Sequence, residues 1–192
     1  MNFTEYLSTF AVVGDSQATS ITNALFVSPP VHNVYTMYYV YTDNLIEHLR
    51  TKVEVNGKVI LLAGTNDVLL NKEESLETVL QNYFTYVRRI KNELGLKQLV
   101  VVTPPSISQD IEGPRSDFDK KALLERIRLV ETFAKRYLES DPIVVIGSQI
   151  GVTPQGFIED LYSHSDGVHL SEAGYNLLAE EIVKRLKEID HG

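Results

Sequence analysis

Three polar clusters in this chain hold the residue types that acyl transfer requires. Gly14-Asp15-Ser16-Gln17 carries a serine, Gly64-Thr65-Asn66-Asp67 an amide, and Ser165-Asp166-Gly167-Val168-His169 a carboxylate three residues before an imidazole. A serine hydroxyl is a weak nucleophile until a base takes its proton, and His169 is the candidate base. A carboxylate must then hold the other ring nitrogen and stabilise the imidazolium, and Asp166 can reach it within a tight turn. The tetrahedral intermediate needs donors aimed at its oxyanion, and the candidates are the Ser16 backbone N–H and the Asn66 side-chain amide. Each cluster taken singly also has a plain reading. Gly-Asp-Ser is a glycine turn that caps a helix, Asn66 and Asp67 are turn residues, and His169 is a surface histidine near a helix start. His164 reads as a bystander, and His32, His48 and His191 have no nucleophile or carboxylate in an evident relation to them.

The elements that must bring these clusters together are legible as alternating patterns. Phe10-Ala11-Val12-Val13 is an apolar run that stops at Gly14-Asp15-Ser16, a buried strand giving way to a helix over Ala18 to Phe26. Val31 to Tyr35 reads as a second strand and Met37 to Leu49 as a helix, with Val40, Leu45 and Leu49 inward. Lys58 to Ala63 is the clearest buried strand, followed by a helix from Glu73 to Leu94 whose Leu76, Leu80, Tyr83, Val87, Ile90 and Leu94 share one face and which Gly95 closes. Gln98 to Val102 is a fourth strand, Ser106 to Ser116 a surface loop, and Phe118 to Leu138 a helix with Leu123, Leu124, Ile127, Val130, Ala134 and Tyr137 inward. Ile143 to Ile146 is a fifth strand and Gly151 to His164 is irregular. Ser171 caps a last helix, with Leu177, Leu178, Ile182, Leu186 and Ile189 inward.

Short, wholly apolar strands alternating with helices predict a mostly parallel, five-stranded sheet covered on both faces, a three-layer α/β/α sandwich. With no linker, repeat or low-complexity tract, residues 1–192 are expected to form one domain. In such a sheet ligands bind at the carboxyl ends of the strands, where the loops carrying Ser16, Asn66 and His169 would converge.

Composition narrows the function classes. The net charge of −8, with no basic stretch to offset it, argues against a phosphate-gripping nucleic-acid binder and against docking on an anionic membrane. No cysteine is present, which removes thiolate nucleophiles, disulfides and sulfur ligands for zinc. Met1 to Val13 lacks the basic start and long apolar run of a secretory signal, and no segment is apolar over the ~18 residues a membrane span needs. The expectation is a soluble, cytoplasmic protein acting on a small molecule, and the oligomeric state is not legible.

Gly14-Asp15-Ser16, Gly64-Thr65-Asn66-Asp67 and Asp166-Gly167-Val168-His169 resemble blocks I, III and V of the SGNH hydrolases, the GDSL esterase/lipase superfamily, in order and spacing over almost the whole chain. The resemblance implies a flavodoxin-like sandwich and a serine esterase that uses no metal or other cofactor. It implies Ser16 as nucleophile, Asn66 as oxyanion donor, His169 as general base and Asp166 as its orienting partner. Block II departs from the pattern. Members of the family usually have a glycine after the second strand whose N–H completes the oxyanion hole, and no glycine lies between Gly14 and Gly57. A backbone N–H within Thr36-Met37-Tyr38 can serve if its peptide points inward, with Met37 the midpoint of that stretch. Block I reads Gly-Asp-Ser-Gln where many members have leucine after the serine, a difference of lesser weight.

The leading expectation is hydrolysis of a small, short-acyl ester, with an O-acetylated carbohydrate as one substrate of this kind and acyl transfer to another alcohol as adjacent chemistry. Two other classes stay open on the residues alone. One is a non-catalytic flavodoxin-like module that holds an anion at the Ser16 helix start. The other is a metal-dependent phosphoesterase using Asp15, Asn66, Asp166 and His169, for which these four are few hard ligands. Tyr35, Tyr38, Tyr39 and Tyr41 beside block II fit either core packing or a wall of the site.

Overall fold

A computed structural model describes residues 9–25, 34–35, 46–47, 50, 57–65, 75–110, 119–140 and 142–191. Among these residues five strands form one sheet: β1 (Ala11–Gly14), β2 (Val34–Tyr35), β3 (Lys58–Leu62), β4 (Gln98–Val102) and β5 (Ile143–Ile146). Their spatial order is β2-β1-β3-β4-β5, and every pairing is parallel. Among the described residues the long helices that connect and cover them are α1 (Ser16–Leu25), α2 (Leu76–Glu93), α3 (Lys120–Tyr137) and α4 (Glu172–Asp190).

Side chains alternate across the sheet, and the alternation builds two cores. Val59, Leu61, Leu99, Val101 and Val145 pack with the buried faces of α2 and α3. Ile60, Leu62, Val100, Val102 and Ile146 pack with Ala18 and Ile21 of α1 and with Leu178, Ile182 and Leu186 of α4. A strand buried on both faces needs apolar residues at every position, which is why these runs are continuous rather than alternating. The α/β/α sandwich is therefore the observed architecture, with a sheet that is parallel throughout the described strands.

Local chemistry sets the helix boundaries. The Ser75 hydroxyl accepts the Thr78 N–H (3.2 Å), and Asp119 Oδ1 accepts the N–H groups of Lys121 and Ala122 (3.1 Å each). The Ser171 hydroxyl accepts the Gly174 N–H (3.1 Å) and itself donates to Leu161 O (2.8 Å). These caps satisfy first-turn amides that no intrahelical carbonyl reaches. They also correct two expected boundaries, since α2 starts at Leu76 rather than Glu73 and α3 at Lys120 rather than Phe118. Similarly α1 starts at Ser16, two residues before the expected Ala18.

Three other expectations need correction. Tyr137 is 48% exposed and Ile189 43% exposed, although both fall on the apolar periodicity. Each lies in the last turn of its helix. Tyr137 stacks on Phe133 at 5.8 Å at the lip between α2 and α3, and Leu186 is the last core residue of α4. The Ser106-to-Ser116 loop is buried at its beginning: Ser106 Oγ donates to Gly156 O, Ile107 O accepts the Ile158 N–H (2.9 Å), and Ser108 N–H donates to Gly167 O (2.8 Å). Partners some fifty residues away leave no local periodicity to detect. The expected second strand is described only at Val34–Tyr35, and the Met37-to-Leu49 helix only at residues 46–47. No helix among the described residues is long and apolar enough to cross a membrane.

Candidate active site

In this strand order β1 is flanked by β2 on one side and β3 on the other, so the connections leave β1 and β3 in opposite directions. The carboxyl ends of β1 and β3 thus border the crevice where open parallel sheets bind ligands. Ser16 opens α1 directly after β1. Gly14 lets the chain turn there. Its φ is +156°, and a Cβ on it would lie 1.9 Å from Leu62 O of the neighbouring strand. Asp15 follows as the cap of α1. It is 2% exposed, its Oδ1 accepts the Gln17 N–H (2.9 Å), and its carbonyl accepts those of Ala18 (3.0 Å) and Thr19 (3.3 Å). Among the described residues those bonds leave the Ser16 N–H without a partner, at the end of the helix where the dipole favours negative charge.

The histidine comes from the loop before α4. The turn 164–169 is closed by Gly167 N–H to His164 O (3.0 Å) and His164 N–H to His169 O (3.0 Å), with Gly167 at φ +72°. Asp166 serves this turn with both oxygens. Oδ1 accepts the N–H groups of Val168 (2.9 Å) and His169 (2.8 Å), and Oδ2 lies 2.5 Å from His169 Nδ1. One carboxylate therefore fixes both the backbone and the ring of the same histidine.

Across the crevice, His169 Nε2 is 2.8 Å from Ser16 Oγ. The protonation pattern follows from Asp166. Burial pushes its carboxyl pKa up, but the hydrogen bonds from the His169 and Val168 amides and from the His169 ring outweigh it and bring the pKa down to about 2. An ionised carboxylate only accepts, so in the neutral imidazole the proton sits on Nδ1, and Nε2 is left bare toward the serine. Ser16 Oγ then donates to Nε2, which is the direction a general base requires.

The structure thus brings together three of the expected residues, Ser16, Asp166 and His169. Asn66, Asp67 and Met37 lie outside the described residues, as do the side chains of the tyrosine cluster; after β3 the described chain runs three residues further, to Thr65. Two residues were undervalued in the sequence. His164 is no bystander: its Nδ1 accepts the Asp166 N–H (3.3 Å) and lies 3.7 Å from Asp166 Oδ2. Gln17, given little weight as a replacement for leucine, is 1% exposed and hydrogen-bonded on both sides of its amide. A polar residue placed right after the nucleophile, where an apolar one is usual, was the available signal.

A family model described as GDSL-like Lipase/Acylhydrolase matches residues 9–182, a span that includes all three polar clusters. The chain belongs to that family. The description given to that family, lipase and acylhydrolase, is one of ester-cleaving enzymes. Among solved structures it is similar to a putative platelet activating factor from Streptococcus pneumoniae, with a TM-score of 0.71 and 18% identity, covering 95% of this chain and 89% of that one. It is also similar to the C-terminal catalytic domain of the Streptococcus pneumoniae peptidoglycan O-acetyltransferase A. There the TM-score is 0.58 and the identity 15%, covering 95% of this chain and 94% of that one. At such identities these likenesses speak for the fold. A curated relative, the chromosomal replication initiator protein DnaA of Flavobacterium psychrophilum, is 24% identical over 149 residues, 75% of this chain; the match spans 31% of that protein's length.

Proposed function

We propose that this acylhydrolase cleaves small, short-acyl esters through an acyl-enzyme on Ser16, with residues 1–192 acting as a single catalytic domain. The observation that carries the proposal is the continuous hydrogen-bond chain from Ser16 Oγ through His169 (2.8 Å) to Asp166 Oδ2 (2.5 Å). His169 Nε2 takes the serine proton as Oγ attacks the ester carbonyl, and the imidazolium that forms is stabilised by the Asp166 carboxylate. The Ser16 N–H receives the oxyanion, joined by the Asn66 amide and by a backbone N–H near Met37. His169 then gives its proton to the leaving alkoxide. A water molecule, deprotonated by the same nitrogen, attacks the acyl carbonyl and frees the carboxylic acid and Ser16.

The substrate class rests on two supports. The chain offers no long apolar surface segment suited to covering a lipid, which favours a short acyl group. The name of the pneumococcal neighbour, a peptidoglycan O-acetyltransferase, makes acetyl on a carbohydrate hydroxyl the first ester to try.

An ester panel tests both parts. Wild-type protein is expected to hydrolyse aryl acetates and O-acetylated sugars faster than esters of eight or more carbons, and Ser16→Ala is expected to fall to background while its circular dichroism is unchanged. Turnover retained by Ser16→Ala would overturn the mechanism. A preference for long acyl chains would overturn the substrate class.

A further inference from the structure

Behind the Ser16–His169 contact lies a second hydrogen bond between the adjoining residues. Gln17 follows the serine and Val168 precedes the histidine, and Gln17 Nε2 donates to Val168 O at 3.2 Å. On the other side of the same amide, the Tyr175 hydroxyl from α4 donates to Gln17 Oε1 at 2.5 Å. Gln17 and Tyr175 are 1% and 4% exposed. Chemistry fixes the orientation of the amide. Val168 O can only accept, so the NH2 group must face it, Oε1 is left toward Tyr175, and the phenol must donate. Burial, with the charges of Asp15 and Asp166 nearby, pushes the Tyr175 pKa up to about 12 against the lowering effect of hydrogen bonds with Ser20 and Leu170. Tyr175 therefore stays a donor across any ordinary assay pH.

What Gln17 holds is the peptide unit that carries the histidine. The C=O of the 168–169 peptide is taken by Gln17, and its N–H by Asp166 Oδ1 at 2.8 Å. A peptide plane pinned at both ends cannot swing, and the His169 ring swings with it. Gln17 is attached to the nucleophile on one side and to the base's own peptide on the other. We propose that Gln17 is a positioning residue that sets the distance from Ser16 Oγ to His169 Nε2, with Tyr175 locking its amide. The inference rests on the assignment of Ser16 and His169 as nucleophile and base.

Gln17→Met keeps the length and volume of the side chain and removes both hydrogen bonds. Tyr175→Phe removes only the hydroxyl. Both are compared with wild type and Ser16→Ala by kcat and KM on a chromogenic acetate ester, with active sites titrated by a fluorophosphonate, and by the rate of that labelling. A displacement of the order of 1 Å at a reacting pair costs about 10²-fold. The expected result is a fall of about 30- to 100-fold in kcat per titrated site for Gln17→Met and about tenfold for Tyr175→Phe. KM stays within threefold, and labelling slows in parallel. The double variant is no worse than Gln17→Met, because both changes act through one amide.

A merely structural role would reduce the titrated fraction and leave kcat per site alone. A kcat per site within twofold of wild type, or an effect lying in KM, would overturn the proposal, and Tyr175→Phe decides it on the same terms if Gln17→Met does not fold. Inactive Ser16→Ala alongside wild-type-like Gln17→Met and Tyr175→Phe sinks this inference alone. Active Ser16→Ala removes its basis as well.

Discussion

Asp166→Asn separates the electronic part of the site from its architecture. Asparagine keeps an oxygen for the two amides that Asp166 Oδ1 now accepts, at 2.9 and 2.8 Å, so the turn before α4 survives. The change falls on the other atom, where an NH2 group replaces Oδ2 opposite His169 Nδ1. Turning the amide over offers no escape, since it would aim NH2 at the Val168 and His169 N–H groups. A donor facing Nδ1 forces the ring proton onto Nε2, and Nε2–H cannot take the proton of Ser16. The same exchange in a serine protease lowers kcat about 10⁴-fold, and a loss on the order of 10³ to 10⁴ is expected here, about 4 to 5.5 kcal/mol of barrier.

The cost in stability is far smaller. The Asp166 carboxyl sits at about 2 instead of 3.8, a difference worth about 2.4 kcal/mol if unscreened. The side chain is 35% exposed, so solvent screening reduces this to about 1 kcal/mol. The assay is steady-state hydrolysis of an aryl acetate beside thermal unfolding. A Tm shift of a few degrees with a loss of at least 10³ in kcat fits the argument. Activity within tenfold of wild type refutes it, because the tautomer would then not depend on Asp166.

Further predictions concern pH and the frame of the site. The Asp166 pKa is lowered by folding, so its contribution to stability is complete above about pH 4 and disappears as the pH falls through about 2. The stability gap between wild type and Asp166→Asn, read from urea unfolding, should shrink between pH 6 and pH 2; a constant gap would show that the carboxylate charge is not its source. Gly14→Ala would place a Cβ 1.9 Å from Leu62 O at a φ of +156°, and should cost about 3 kcal/mol or more in urea unfolding. An alanine variant of wild-type stability would contradict the close approach of β1 and β3. Ser75→Ala removes the cap on the Thr78 N–H and should lower stability by about 1 kcal/mol in urea unfolding, and an unchanged unfolding midpoint would contradict the role of the cap.

The layer architecture was legible because its cause is local. Continuous apolar runs such as Val59 to Leu62 and Leu99 to Val102 are required wherever a strand is covered on both faces, and caps such as Ser171 announce helices. The candidate serine stood out because it closely follows a strand, and the candidate histidine and aspartate because they lie just before a capped helix. The rest depends on contacts that no window along the chain contains. The Ser106–Ile107–Ser108 stretch is polar and aperiodic, yet it is buried by hydrogen bonds to residues near 156 and 167. Tyr137 and Ile189 satisfy the helical period but are exposed, Tyr137 lying over Phe133 at the lip between α2 and α3 while Leu138 beside it is buried, and Ile189 following Leu186, the last core residue of α4. Gln17 was discounted because its partners, Val168 and Tyr175, lie more than 150 residues away. His164 was discounted because its use is structural support of Asp166 through a backbone N–H, which residue type alone does not reveal.

The central claim is that Ser16 is an activated nucleophile, and it is tested most directly by mapping a covalent adduct. Folded wild-type protein is treated with a fluorophosphonate, digested, and analysed by mass spectrometry, with Ser16→Ala as the control. The expected result is one stoichiometric adduct on Ser16, lost in Ser16→Ala and slowed at least 10²-fold in Asp166→Asn. An unlabelled Ser16 in folded, ester-hydrolysing protein, or an adduct on another residue that accounts for turnover, would contradict it.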